Sequence, residues 1–87
     1  MLDMNEVKIK LIEITMEVTG EGEMPETDQI EESLQKPLED WGVDSLSALE
    51  LAVHLERNFG VRMEEKELAN LETLADLVHA VEEKGKG

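Results

Sequence analysis

The chain has 87 residues, with 22 acidic against 8 basic side chains, a net charge of -14 and no cysteine. The length suits one domain with a modest core, and the absence of cysteine excludes a disulfide frame, a thiolate metal site and a cysteine nucleophile. The charge disfavours nucleic acid and anionic membranes, whose attraction rests on Lys and Arg, and favours partners with basic patches.

Trp41 and Phe59 are the only aromatics. The core therefore has to be built from Leu, Ile, Val, Met and Ala, which favours helices over a β-sandwich. The N-terminus lacks the basic start and long apolar run of a signal peptide. No apolar stretch approaches membrane-spanning length, so a cytoplasmic chain without membrane insertion is expected.

In chain order, residues 3–18, "DMNEVKIKLIEITMEV", carry two patterns. "VKIK" and "IEITMEV" alternate as strands do, with many β-branched residues. Met4, Val7, Leu11, Ile14 and Val18 also form a stripe at helical spacing, and Asp3 with Glu6 three residues later resembles a capping box. The run is long and no hairpin turn follows a first short strand, so a helix over 4–18 is expected. It leaves Ile9, Ile12 and Met16 on the opposite face, covered by the following loop or exposed.

Residues 19–43 hold Gly20, Gly22, Pro25 and Pro37 among many acids and read as a long loop, with one turn of helix near 28–34. Ile30, Leu34 and Leu38 are its candidate anchors. Loops of this length are uncommon in compact domains and are often functional. Residues 21–50 contain ten acids against a single base, Lys36. That run reads either as a solvated surface or as a surface for a basic partner.

Residues 45–59, "SLSALELAVHLERNF", give the clearest helix, with Asp44 as N-cap and Gly60 as its stop. A short helix over 64–70 follows, with Leu68 and Leu71 inward. A last helix over 73–83 is capped by Thr73 and Asp76 and buries Leu74, Leu77, Val78 and Val81. Residues 84–87 are expected to fray. The expected fold is all-α: a small bundle of three main helices and one short helix, formed by a single domain over 1–87.

The 45–59 helix carries more apolar surface than one core needs. Ala48, Leu51, Ala52, Leu55 and Phe59 share one face, while Leu46, Leu49 and Val53 form a second stripe flanked by Glu50, Glu56 and Arg57. Either the first loop covers that second stripe, or it is a docking surface with an apolar centre and a charged rim. From spacing alone Ser45 reads as a helix-start residue; with no nearby base it is not a self-activated nucleophile, and it is better placed to be modified by another protein. A phosphate is tolerated at such a helix start. His54 and His79 lack metal-ligand spacing, no phosphate-cradling glycine loop is present, and Asp40 with Asp44 lacks the remaining calcium-loop ligands. An enzyme is not expected.

"GVDSLSALEL", Gly42–Leu51, resembles the serine motif of acyl carrier proteins, Gly-x-Asp-Ser-Leu followed by an apolar helix. The match extends through "LERNFGVRM" and "LETLADLVHAV", with the helix order of that family across nearly the whole chain. The resemblance implies that a phosphopantetheinyl transferase moves phosphopantetheine from coenzyme A to Ser45, and that the arm's thiol carries acyl groups as thioesters. An imported thiol fits a chain without cysteine. By the same resemblance Asp44 assists transfer, and Leu46, Leu49, Glu50, Val53 and Glu56 dock basic patches of acyl-handling enzymes onto a monomeric carrier.

Three positions depart from that pattern. Trp41 stands where the family has leucine, either covering the loop-to-helix junction or lying beside the arm, and Ser47 and Arg57 occupy positions that are often acidic. An acyl carrier of fatty-acid-like or polyketide-type synthesis is the leading reading. A peptidyl or aminoacyl carrier, and an unmodified acidic helical adaptor, are the alternatives.

Overall fold

The computed structural model describes residues 3–20 and 22–85. Five α-helices follow one another: α1 (Met4–Thr19), α2 (Ile30–Leu34), α3 (Ser45–Phe59), α4 (Glu65–Ala69) and α5 (Leu74–Gly85). Two 3-10 turns, Thr27–Gln29 and Leu38–Trp41, lie before α2 and before α3. Among the described residues there is no strand, only an isolated bridge between Pro37 and Thr73. The all-α expectation holds.

Local β preference in α1 is overridden by burial. Its β-branched residues lower helix propensity by tenths of a kcal/mol each. Against that, Val7, Leu11, Ile12 and Ile14 leave water almost completely, and burying one such side chain stabilises by about 1.5–3 kcal/mol. Thr15, also fully buried, satisfies its hydroxyl by donating to the Leu11 carbonyl at 2.7 Å. Asp3 caps the helix by accepting the Asn5 N–H at 3.0 Å, without the reciprocal Glu6 bond of a capping box. Ile12 belongs to the core itself, so α1 buries a broader arc than the single stripe.

The first connection is more ordered than a loop. Leu34 is buried at 1% exposure, and Ile30 and Leu38 pack partly buried against the same core. The Leu38 N–H donates to the Glu72 carbonyl at 2.9 Å, beside the Pro37–Thr73 bridge, and so fastens the connection to the start of α5. A long stretch of acidic chain is thereby held across the bundle by three aliphatic anchors and one backbone seam.

Helices α1, α3 and α5 enclose the centre of the core, where Leu11, Ile12, Leu55, Leu74, Leu77 and Val81 are fully buried. Gly60 ends α3 in the left-handed region and donates to the Glu56 carbonyl at 2.9 Å. After it, Val61 and Met63 alternate inward around exposed Arg62. Five-residue α4 is too short to be stable alone. A Glu64–Glu67 capping box secures its start, and Glu67 also pairs with Lys84 of α5 at 2.8 Å. At the head of α5 the Thr73 N–H donates to the Asp76 carboxylate and the Asp76 N–H to the Thr73 hydroxyl oxygen, at 3.2 Å each. Helix α5 continues through Lys84 and Gly85, which corrects the expected fraying there. Residues 86 and 87 lie outside the described region.

Candidate functional site

The chain turns sharply ahead of α3. The Leu38–Trp41 turn ends at Gly42, whose φ of 84° lies in the left-handed region that glycine adopts at little cost. Val43 N–H then donates to the Leu38 carbonyl at 3.1 Å, closing the turn. Asp44 is extended, and its Oδ1 accepts the Ser47 N–H at 2.9 Å while its carbonyl accepts from Ala48 at 2.9 Å. This local chemistry places Ser45 at the first helical position, exposed. The Ser47 backbone N–H, and then the Ser47 hydroxyl, hold the Asp44 carboxyl below its ordinary range. It is therefore an anion beside Ser45 at neutral pH.

Ser45 stands at the rim of a cleft of about 620 Å³ between the turn before α3, the start of α3, and α4. Val43, Ala48, Leu68 and Leu71 make its lining mostly apolar, and no histidine or lysine borders it. Among the described residues the Ser45 hydroxyl has no hydrogen-bond partner. His54 lies half-buried along α3, and exposed His79 sits 4.0 Å from Glu82 on α5. No group of three or more His, Asp and Glu could hold a metal ion among the described residues.

The second stripe of α3 faces outward. Leu46, Leu49 and Val53 are 68%, 44% and 49% exposed, and the first connection does not cover them. Glu50, Glu56 and Arg57 are exposed beside them. Ser45 and these residues thus share one end and one flank of a single helix, beginning at the mouth of the cleft.

Trp41 closes the turn that leads into α3. It is 6% exposed and joins the core cluster. Beside it runs the first connection: a Cβ built on Gly22 would meet the indole Cζ3 at 3.5 Å and Met16 Cγ at 3.7 Å. Lys36 Nζ stands 5.7 Å from the ring centroid, within cation–π range. The indole Nε1 is buried with no hydrogen-bond partner. The letter itself was conspicuous in the sequence, whereas its burial depends on a non-periodic turn that leaves no pattern to read.

An exposed hydroxyl at a helix N-terminus, next to an apolar cleft and without a base of its own, fits a covalently attached, charged-headed arm. Comparison with known proteins agrees. The family model for the phosphopantetheine attachment site matches residues 10–81. The anthracycline acyl carrier protein DauA of Streptomyces sp. (strain C5) is 36% identical over 75 residues, 86% of each chain. The acyl carrier protein of Acidothermus cellulolyticus is 41% identical over 78 residues, 88% of this chain and 86% of that one.

The solution structure of the acetyl actinorhodin acyl carrier protein from Streptomyces coelicolor superposes with a TM-score of 0.73 at 23% identity, over 98% of this chain and 92% of that one. That likeness establishes the fold. No described helix is long and apolar enough to cross a membrane. The chain belongs to the phosphopantetheine-attachment family of acyl carrier proteins: it is a carrier rather than an enzyme, works through covalently bound phosphopantetheine, and serves acyl-handling enzymes of polyketide or fatty-acid synthesis.

Proposed function

We propose that Ser45 is the attachment residue. The observation that carries this reading is the exposed Ser45 hydroxyl at the start of α3, on the rim of the apolar cleft. The attached group supplies a thiol that holds acyl cargo as a thioester. The chain's own residues do the rest. Gly42 and the Asp44 cap fix the turn that presents the hydroxyl, and the amides of the helix start favour a phosphate there. The lining of Val43, Ala48, Leu68 and Leu71 offers an aliphatic chain shelter from water.

Docking falls to the flank of α3. Leu46, Leu49 and Val53 supply apolar contact, and Glu50 and Glu56 steer basic patches of the transferase and of acyl-handling enzymes. Steering by a net charge of -14 raises encounter rates without demanding tight complexes, which suits a monomeric cytoplasmic carrier visiting several enzymes. Intact mass after incubation with coenzyme A, magnesium and a broad-specificity phosphopantetheinyl transferase tests the reading. A gain of one phosphopantetheine is expected; no gain under conditions that modify a control carrier overturns it.

A further inference from the structure

Arg57 breaks the charge pattern on the outer flank of α3. It follows Val53 by four residues, Leu49 by eight and Leu46 by eleven, so it continues the exposed apolar line about three turns on from Leu46. Glu50 and Glu56 lie to either side of that line, and all three charged side chains are exposed. The face is therefore apolar along its centre, acidic at its edges and cationic at its far end.

The charge is unspent within the chain. Lys8, Lys66 and Lys84 each pair with a glutamate, whereas among the described residues no carboxylate pairs with Arg57. Side chains on a helix meet at spacings of three and four, and around Arg57 those positions hold Val53, His54, Gly60 and Val61. The last turn of a helix favours a cation. That benefit is the same at Asn58, one position on, and does not explain a cation set in line with the apolar stripe.

A surface seated on Leu46, Leu49 and Val53 has to cover Arg57 as well. Under a basic or apolar patch the guanidinium loses water and gains no partner. Under a carboxylate it forms a two-bonded charge pair. Polyanions such as nucleic acid are disfavoured by the flanking glutamates and the net charge of -14. The occupant that fits is a protein surface with a single acidic side chain at this point.

We propose that Arg57 is the specificity-determining residue of the docking face: it selects partner enzymes that are basic opposite Glu50 and Glu56 and present a carboxylate opposite Arg57. This rests on docking at the flank of α3. About 18 Å of helix separates Arg57 from Ser45. With the Asp44 anion at one end and Arg57 at the other, a partner that matches both seats in one direction only. An evenly basic patch meets repulsion at Arg57 and is rejected.

The test measures kcat and KM for modification of the full chain by a purified phosphopantetheinyl transferase, a partner that has to dock on the same flank. Arg57→Glu is expected to lower kcat/KM roughly tenfold and Arg57→Gln roughly threefold, as for one exposed charge pair reversed or lost. The change should lie in KM and shrink as salt rises. Arg57→Lys, which keeps the charge, is expected to retain most of the rate. Lys10→Glu makes the same change of net charge as Arg57→Glu at an exposed position of α1, and is expected to leave kcat/KM unchanged.

An unchanged or raised kcat/KM in Arg57→Glu would overturn the proposal, and so would an equal fall in Lys10→Glu. A lowered melting temperature with KM unmoved would reduce Arg57 to a helix-end residue and overturn it too. Val53→Asp, run alongside, separates the two readings. If it does not lower kcat/KM, docking at the flank of α3 fails. If it does while Arg57→Glu does not, selection by Arg57 alone fails.

Discussion

The Asp44 carboxylate and the Ser47 amide, joined at 2.9 Å, fix the turn of helix on which Ser45 stands. The same bond holds the Asp44 carboxyl below its ordinary pKa of 3.8. A carboxylate with a lowered folded-state pKa stabilises fully above its ordinary value, and the contribution disappears as pH falls through the lower folded value. Asp44→Ala is therefore expected to lower the melting temperature at neutral pH and to flatten its fall below about pH 4. It should also slow modification of Ser45. Melts across acid pH and transferase assays check both, and an unchanged modification rate would remove Asp44 from the site.

Glu67 presents a parallel case on α4. Its carboxyl is held below the ordinary 4.5 first by the bond to Lys84, then by the Glu64 N–H. The sign is the same: the contribution is present above the ordinary value and lost as pH falls through the folded one. Glu67→Gln is expected to reduce the acid sensitivity of thermal stability. It should also quicken amide hydrogen exchange in α4, the element this pair straps to α5. Unchanged exchange in α4 would show that the strap is not what holds it.

Docking is tested on the exposed stripe. Leu49→Asp or Val53→Asp places a charge where the side chain is already 44% or 49% exposed. Stability should change by no more than about 0.5 kcal/mol, as at ordinary surface positions, while kcat/KM for transferase modification falls. Unfolding of either variant would mean that the stripe is core after all.

The core supplies the contrast. Leu55 is fully buried among α1, α3 and α5, and Leu55→Ala is expected to cost about 2–5 kcal/mol. That is a large share of the roughly 5–15 kcal/mol that holds a small domain together. Denaturant melts measure it, and a loss comparable to that of Leu49→Asp would contradict the two-faced description of α3.

These contrasts follow what the sequence made legible. Leu74, Leu77, Val78 and Val81 repeat at helical spacing and are all buried, because periodicity in an amphipathic helix is set by the core it faces. Asp44 and Thr73 declared their caps by residue type, and Gly60 its stop. The serine motif was visible as a pattern, and so was the surplus stripe beside it. Whether that stripe was covered could not be read, since cover depends on where a long connection lies.

The connection itself was legible only as anchors. Leu34 and Leu38 were visible, but the 3-10 turn at Leu38–Trp41 was not, since a single turn has no repeat to detect. Helical spacing leaves Ile12 opposite the α1 stripe, and its full burial depends on what packs there from elsewhere in the chain. The buried Trp41 ring lies beside Gly22 and under Lys36, positions far from one another in sequence, and no local signal encodes that meeting.

The central claim is that Ser45 alone carries the phosphopantetheine. Peptide mapping by tandem mass spectrometry after transferase treatment, run beside Ser45→Ala, tests it most directly. The account predicts one phosphopantetheine on the peptide containing Ser45, and an Ser45→Ala protein that keeps its helical circular dichroism and gains no mass. Modification at another residue, or of Ser45→Ala itself, would contradict it.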